Sequence, residues 1–200
     1  MTEIYIYRMT HIQNIPHILN HGLTTLSSPN NNPDYIAIGS RQIIKKRERS
    51  EERIPFYFCK KSPMLYCIQN GHYVSQKTSP HQIVYLVSSI SILGSMKVNY
   101  FFTDGHLLSG NTKVFSKDRI NDIYSILDFN AINAIYWNDN SEIKRKKEAE
   151  CVVEQDLPLH SLIGFIVYNK DAFECVSGFV EEAGFADLKA KIKIDSKAYF

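Results

Sequence analysis

The stretch KRKKEAECVVEQDL, residues 144 to 157, sets four cations in a row and then places Glu148 and Glu150 against the apolar run Cys151-Val152-Val153. A β-strand alternates its side chains between two faces. A strand over Glu148 to Gln155 therefore puts Glu148 and Glu150 on one face, with Ala149 and Cys151 on the other. Two carboxylates side by side have two readings. On an edge strand they form a solvated charged face. On a cleft wall, near the start of a strand that runs into a core, their charge is available to a positive centre.

The elements that must position this pair can be read coarsely. Ile4 to Met9 alternates as a strand, and Thr10 is placed to cap a short helix carrying Ile12, Ile15, Ile18 and Leu19, closed by Gly22. Ser40 is placed to cap a second helix through the basic stretch, with Ile43 and Ile44 inward. IPFYF (54–58), IVYLVSS (83–89) and VNYFFT (98–103) predict strands. In SPMLYCIQNG (62–71) a Ser, a Pro at the first helical position and a Gly just past the end spell a helix. Further helices are expected over Asp118 to Leu127 and within Lys170 to Ala183. Strands are expected over Leu162 to Tyr168 and Lys189 to Asp195. Strands outnumber helices and do not alternate with them regularly, which argues for a mixed α+β fold with antiparallel sheets.

Composition bounds the function classes. A chain of 200 residues suits a single domain over 1–200. The expectation is no membrane span, since no apolar run approaches the length one needs, and no secretory leader in MTEI. Cys59, Cys67, Cys151 and Cys175 contain no C-x-x-C pair, which points to free thiols in a reducing, cytoplasmic compartment. The seven histidines form no ligand spacing with the cysteines, so no metal is expected. Net charge is only +2, but residues 41 to 61 hold eight cations against three glutamates, and 144 to 147 add four more. These blocks either are solvated faces or flank a cleft and follow a phosphate backbone.

Four segments, in order, carry a resemblance: YRMTHIQNIPHILNHGL (7–23), PFYFCKKSPMLYCI (55–68), FTDGHLLSGNT (102–112) and KRKKEAECVV (144–153). Together they resemble the DarT family of bacterial DNA ADP-ribosyltransferase toxins, over most of the chain. E-x-E or Q-x-E at such a place is the signature of ADP-ribosyltransferases. Breaking the nicotinamide–ribose bond of NAD passes through an oxocarbenium-like state, which a facing carboxylate stabilises.

The resemblance implies two antiparallel β-sheets forming an NAD cleft with helices around them, and NAD as a substrate. It implies transfer of ADP-ribose to a base, thymine by expectation, of single-stranded DNA by the toxin of a toxin–antitoxin or phage-defence system. The implied partners are that DNA and an antitoxin with a macrodomain ADP-ribosyl hydrolase. Glu150 matches the family's catalytic glutamate. Arg47 is similar to the arginine at the reaction centre, where it pairs with phosphates or stabilises a deprotonated thymine. His11 and Asn14 match the segment that holds NAD, and Tyr57, Met64 and Tyr66 match the nicotinamide-side wall, whose rings and thioether suit a flat ring. His106, Lys46 and Arg145 are the implied DNA contacts. Each also has a plainer reading: His11 a helix-start histidine, Arg47 a solvated cation, His106 a turn residue.

The sequence departs from the family in two places. Cys59-Lys60-Lys61 stands where the family has a small residue, Pro and Arg before SPM, and lysine keeps the charge but not the forked geometry. Glu148 stands where Gln is common, and an acid there suits a cationic acceptor. Two alternatives therefore stand beside the DNA reading: an arginine-directed protein ADP-ribosyltransferase, and a non-catalytic basic nucleic-acid-binding domain.

Overall fold

The computed structural model describes residues 3–40, 53–74 and 76–200. Eight strands form one sheet in the order β5-β4-β6-β2-β1-β3-β7-β8. They are β1 (Tyr5–His11), β2 (Ile54–Tyr57), β3 (Ile83–Ser89), β4 (Tyr100–Thr103), β5 (Val114–Ser116), β6 (Glu150–Val153), β7 (Gly164–Val167) and β8 (Ile192–Ile194). All neighbours run antiparallel except β7 and β8, which pair in parallel. The mixed α+β expectation holds. The two separate sheets do not appear: among the described residues the strands join into one.

That one sheet is nonetheless nearly divided. β1 and β3 share seven registered pairs, whereas β1 and β2 share one, Tyr7 with Tyr57. Pro55 lies in β2 and has no N–H to give to a ladder. Its carbonyl accepts instead from Arg8 Nη1 of β1 at 3.0 Å. A side chain thus occupies the space where a backbone hydrogen bond would run, and the two four-stranded halves part at this seam.

Alternation along the strands builds a core on each face. Ile6, Phe56, Val84, Leu86, Phe102, Cys151 and Val153 point into the larger one. It is closed by α1 (Ile15–His21), α3 (Ile90–Ser95) and α7 (Lys170–Glu182) through Leu19, Leu93, Val176 and Val180. Ile83, Tyr85, Val87 and Ile166 point to the other face, where α2 (Pro63–Asn70) contributes Leu65 and Ile68 and the chain end contributes Tyr199. Each such apolar side chain contributes about 1.5–3 kcal/mol on burial. β3 feeds both cores and is buried along its whole length.

The helix signals were strongest where the caps were explicit. Ser62 Oγ accepts from Leu65 N at 3.2 Å, and Gly71 closes α2 at φ 77°. Gly22 ends α1 at φ 74°, where any Cβ would lie 2.1 Å from the Leu157 carbonyl oxygen. β1 runs further than expected, so His11 and not Thr10 caps the turn that follows, its Nδ1 accepting from Gln13 N at 3.2 Å. The helix expected after Ser40 lies outside the described residues. Ser40 itself bridges to Val74. Asp118 to Leu127 divides into a 3-10 turn (Lys117–Asp122) and α4 (Ile123–Ile126).

Candidate active site

Glu150 opens β6, and β6 is central: it pairs with β2 on one side and β4 on the other. The edge-strand reading is therefore excluded. Cys151 and Val153 face the larger core, so Glu150 faces the opposite side, and it is fully buried. The register sets it opposite Tyr57, which is opposite Tyr7. Tyr7, Tyr57 and Glu150 thus form a row across three strands, on the face where the seam opens.

The carboxylate is held in place. Its Oε2 accepts from Leu107 N at 2.8 Å. The Glu150 backbone is fixed by Thr103, whose Oγ1 accepts from Glu150 N at 3.0 Å and donates to the Gly105 carbonyl oxygen at 2.6 Å. Thr103 ends β4, so the loop after it turns back across the head of β6 and delivers the Leu107 amide. His106, one residue before that amide, is buried. Its Nδ1 accepts from Leu108 N at 3.1 Å, and its carbonyl accepts from Thr112 Oγ1 at 2.8 Å. Arg145 braces the same loop through the Asp104 carbonyl at 2.9 Å and the Asp104 carboxylate at 3.2 Å.

Glu148 does not share Glu150's strand face. It is the C-cap of α6 (Ser141–Lys147), with φ −93° and ψ 12°. The cationic run is that helix, capped by Asn140 Oδ1, which accepts from Glu142 N and Ile143 N at 3.0 Å each. Helical turning of about 100° per residue disperses the four charges. Lys147 is buried with Nζ on the Ile132 carbonyl, Lys146 pairs with Asp128, Arg145 clamps the loop, and Lys144 is exposed. A continuous phosphate-tracking block at 144–147 is therefore replaced by four separate roles. Burial pushes the Glu148 carboxyl up to about 7; Lys144 opposes this and the Glu150 charge adds to it.

A cavity of about 250 Å³ opens at the seam, walled by Arg8, Met9 and Thr10 from β1, by Pro55 and Tyr57 from β2, and by Met64 and Ile68 from α2. Loop residues Thr24 to Leu26 and Ala37 to Ser40 complete it. Glu150 is not itself on the wall; Tyr57, directly opposite it, is.

Among the expected cofactor contacts, Asn14, Tyr57 and Met64 line this cavity, while His11 and Tyr66 do not. Asn14 spends its amide on structure: Nδ2 donates to Thr10 Oγ1 and to the Ile36 carbonyl, and Oδ1 accepts from Ile36 N at 2.9 Å. It thereby fixes the segment that leads into the Ala37–Ser40 wall. His11 is buried, which pushes its imidazole pKa down. Tyr66 packs on Trp137, Phe200 and His72, with ring centroids 5.5 to 6.0 Å away. Arg47 and Lys46 lie outside the described residues, but Ser40 and Arg53, which flank that stretch, both line the cavity.

One element of the site had no reading in the sequence. Asp156, just beyond β6, accepts from Thr25 N at 2.7 Å, Thr25 Oγ1 at 2.9 Å and Ser28 Oγ at 2.5 Å. It holds the Thr24–Leu26 wall against the strand that carries Glu150. Burial opposes the charge on Asp156, but these hydrogen bonds prevail and hold its carboxyl below the ordinary carboxylate range. Its only signal was polar residues on both sides of a pairing that no spacing announces.

Comparison with known proteins fits this arrangement. The family model for the ssDNA thymidine ADP-ribosyltransferase DarT matches residues 7–200. This chain belongs to the DarT family. It is 31% identical over 175 residues to a DNA ADP-ribosyl transferase of Thermus sp. (strain 2.9), covering 82% of this chain and 81% of that one. Thermus sp. 2.9 DarT solved in complex with ADP-ribosylated ssDNA superposes with a TM-score of 0.85 at 27% identity, over 98% of this chain and 96% of that one. The same Thermus DarT solved with NAD+ gives a TM-score of 0.83 at 27% identity, over 100% of this chain and 99% of that one. A DNA ADP-ribosyl transferase–DNA ADP-ribosyl glycohydrolase fusion protein of Thermosipho africanus is 27% identical over 159 residues, covering 75% of this DarT-family chain and 39% of the fusion.

Proposed function

We infer that this chain transfers ADP-ribose from NAD to the thymine base of single-stranded DNA. The observation that carries this reading is the DarT family match over residues 7–200, with the glutamate of its E-x-E segment fixed and buried on β6, opposite Tyr57 of the cavity wall. NAD is the substrate, with its nicotinamide ring against Tyr57 and Met64 of the cavity wall.

The chemistry follows from the charges. The C–N bond between ribose and nicotinamide breaks, and its electron pair leaves with nicotinamide. A positive charge develops on the ribose. Glu150, removed from water and oriented by the Leu107 amide, stabilises that charge where screening is weak. Thymidine has one ring N–H, at N3. Its proton passes to solvent as the nitrogen attacks the ribose carbon, and Arg47 is placed by its resemblance to favour the anion. His11, Asn14 and Tyr66 support the cofactor wall, while His106, Lys46 and Arg145 serve the DNA side. The family model, that of an ssDNA thymidine ADP-ribosyltransferase, supports the DNA reading over the arginine-directed one.

The chain acts as a single domain over 1–200. No helix among the described residues is long and apolar enough to cross a membrane, and we place the reaction in the cytoplasm. The fusion relative joins a DNA ADP-ribosyl transferase to a DNA ADP-ribosyl glycohydrolase, which supports a macrodomain hydrolase as this chain's antitoxin partner. The test is incubation with labelled NAD and either single-stranded oligonucleotides or a protein mixture. Label in thymidine-containing oligonucleotides is the expected result; label in protein alone rejects it.

A further inference from the structure

The turn between β2 and α2 carries Cys59-Lys60-Lys61, and it joins two parts of the cavity wall. Tyr57 ends the strand before it, and Met64 lies in the first turn of the helix after it. Lys60 stands where the family has a proline, whose ring would fix the backbone of such a turn from within. Here the turn is held from outside. Lys60 Nζ lies 2.9 Å from Asp195 Oδ2, and the Lys60 carbonyl accepts from the Tyr85 hydroxyl. Tyr85 is in β3, and Asp195 directly follows β8. Both belong to the half of the sheet beyond the seam, whereas the turn belongs to the half that carries Glu150. Asp195 is itself anchored, its N–H donating to the Val167 carbonyl at 3.0 Å. Lys60 holds the Asp195 carboxyl below the ordinary carboxylate range, against the opposing effect of burial. Lys61 adds a second tie to the segment after β8, its ammonium 5.4 Å over the Phe200 ring.

The backbone does little of this work. β1 and β2 share one registered pair, Tyr7 with Tyr57, and the Arg8 contact with the Pro55 carbonyl. Within each half the strands are firmly paired. β2 and β6 share four registered pairs, which keeps Tyr57 and Glu150 together, and β1 and β3 share seven. The dimension with the fewest ties is the gap between the β1 wall at Met9 and Thr10 and the opposite wall at Tyr57 and Met64. Lys60 spans the two halves without lining the cavity.

We propose that Lys60 is a positioning residue: its ion pair with Asp195 straps the two halves of the sheet together across the seam and sets the width of the cavity that receives NAD. The proposal rests on the NAD-binding reading above. Without the strap the β2 and α2 wall moves away from β1, while Tyr57 and Glu150 stay in register with each other. The loss therefore falls on NAD binding and not on the bond-breaking step.

The test measures transfer to a thymidine-containing oligonucleotide as NAD is varied. Lys60→Met keeps the stem and removes the charge. It should raise the KM for NAD about threefold to fivefold, the scale of one partly exposed ion pair, with kcat within about twofold of wild type. Asp195→Asn should give the same rise, and the double variant should add nothing to either single one, as for partners in one interaction. Lys60→Arg, which keeps the charge, should restore the KM. In about 1 M salt the KM ratio of Lys60→Met to wild type should fall toward one, because the pair is screened. If Lys60→Met and Asp195→Asn use NAD as wild type does, if their effects add, or if Lys60→Arg is as weak as Lys60→Met, the strap is rejected and the proposed function stands. A fall in kcat with KM unchanged also rejects it. If wild-type protein neither binds NAD nor modifies the oligonucleotide, both fall.

Discussion

Glu148 and Glu150, two residues apart, occupy different physical situations. Glu150 is held by an amide within the sheet, whereas Glu148 ends a helix, with its carboxyl pushed up to about 7 by burial first, against Lys144 and reinforced by Glu150. The consequence for stability has a definite sign. Between the ordinary carboxylate range and about 7, the native state holds a proton on Glu148 that the unfolded chain has released. Stability therefore falls as pH rises through that window. Glu148→Gln removes the penalty: the variant should melt at the same temperature as the wild type near pH 4.5 and higher by several degrees at pH 8. A difference in melting temperature that does not grow with pH would exclude this account of Glu148. The pair itself was legible in EAE, but the sharing of one face was not. Helix α6 carries a single apolar residue, Ile143, and therefore shows no periodicity from which to extend it to the cap.

At the scale of elements, β6 joins Glu150 to the wall of the seam cavity. Glu150 starts the strand, and Asp156 just beyond its end gathers Thr25 and Ser28. Asp156→Ala frees the Thr24–Leu26 wall without touching the reacting centre. It should raise the KM for NAD on the order of tenfold and leave kcat at saturating NAD within about twofold, the mark of lost ground-state binding. A fall in kcat with unchanged KM would place Asp156 in the chemistry instead. Capped helices such as α2 could be read directly because Ser62, Pro63 and Gly71 act locally. The seam could not. It depends on Pro55 meeting Arg8 across a strand pairing 47 residues apart in sequence, and only the fold brings them together.

At the scale of the molecule, the sheet has a core on each face, and the smaller one supports the cavity's floor. Tyr199 closes it, its hydroxyl shared between the carbonyls of Ile83 and Ile166 at 2.9 Å each, and Gln69 holds Phe200 N at 3.0 Å. Tyr199→Phe should lower the unfolding free energy by about 1–2 kcal/mol in urea, as expected for a buried hydroxyl lost from its acceptors, with the transfer rate unaltered at saturating substrates. An unchanged midpoint would mean that those contacts contribute nothing net. The mixed α+β class followed from the irregular order of strand and helix signals. The joining of the strands into one sheet did not, because the difference between one sheet and two rests on the single pair Tyr7–Tyr57.

The central claim is that the fixed, buried charge of Glu150 acts on the sugar of NAD as its bond to nicotinamide breaks. The most direct measurement compares wild-type protein with Glu150→Gln, which keeps the shape and removes the charge. NAD affinity would be read by calorimetry and transfer by mass spectrometry of a thymidine-containing oligonucleotide. The account predicts NAD binding within a few-fold of wild type and transfer reduced by at least about a hundredfold, since the charge acts on the transition state. Glu150→Gln protein that binds NAD and modifies the oligonucleotide at the wild-type rate would contradict it.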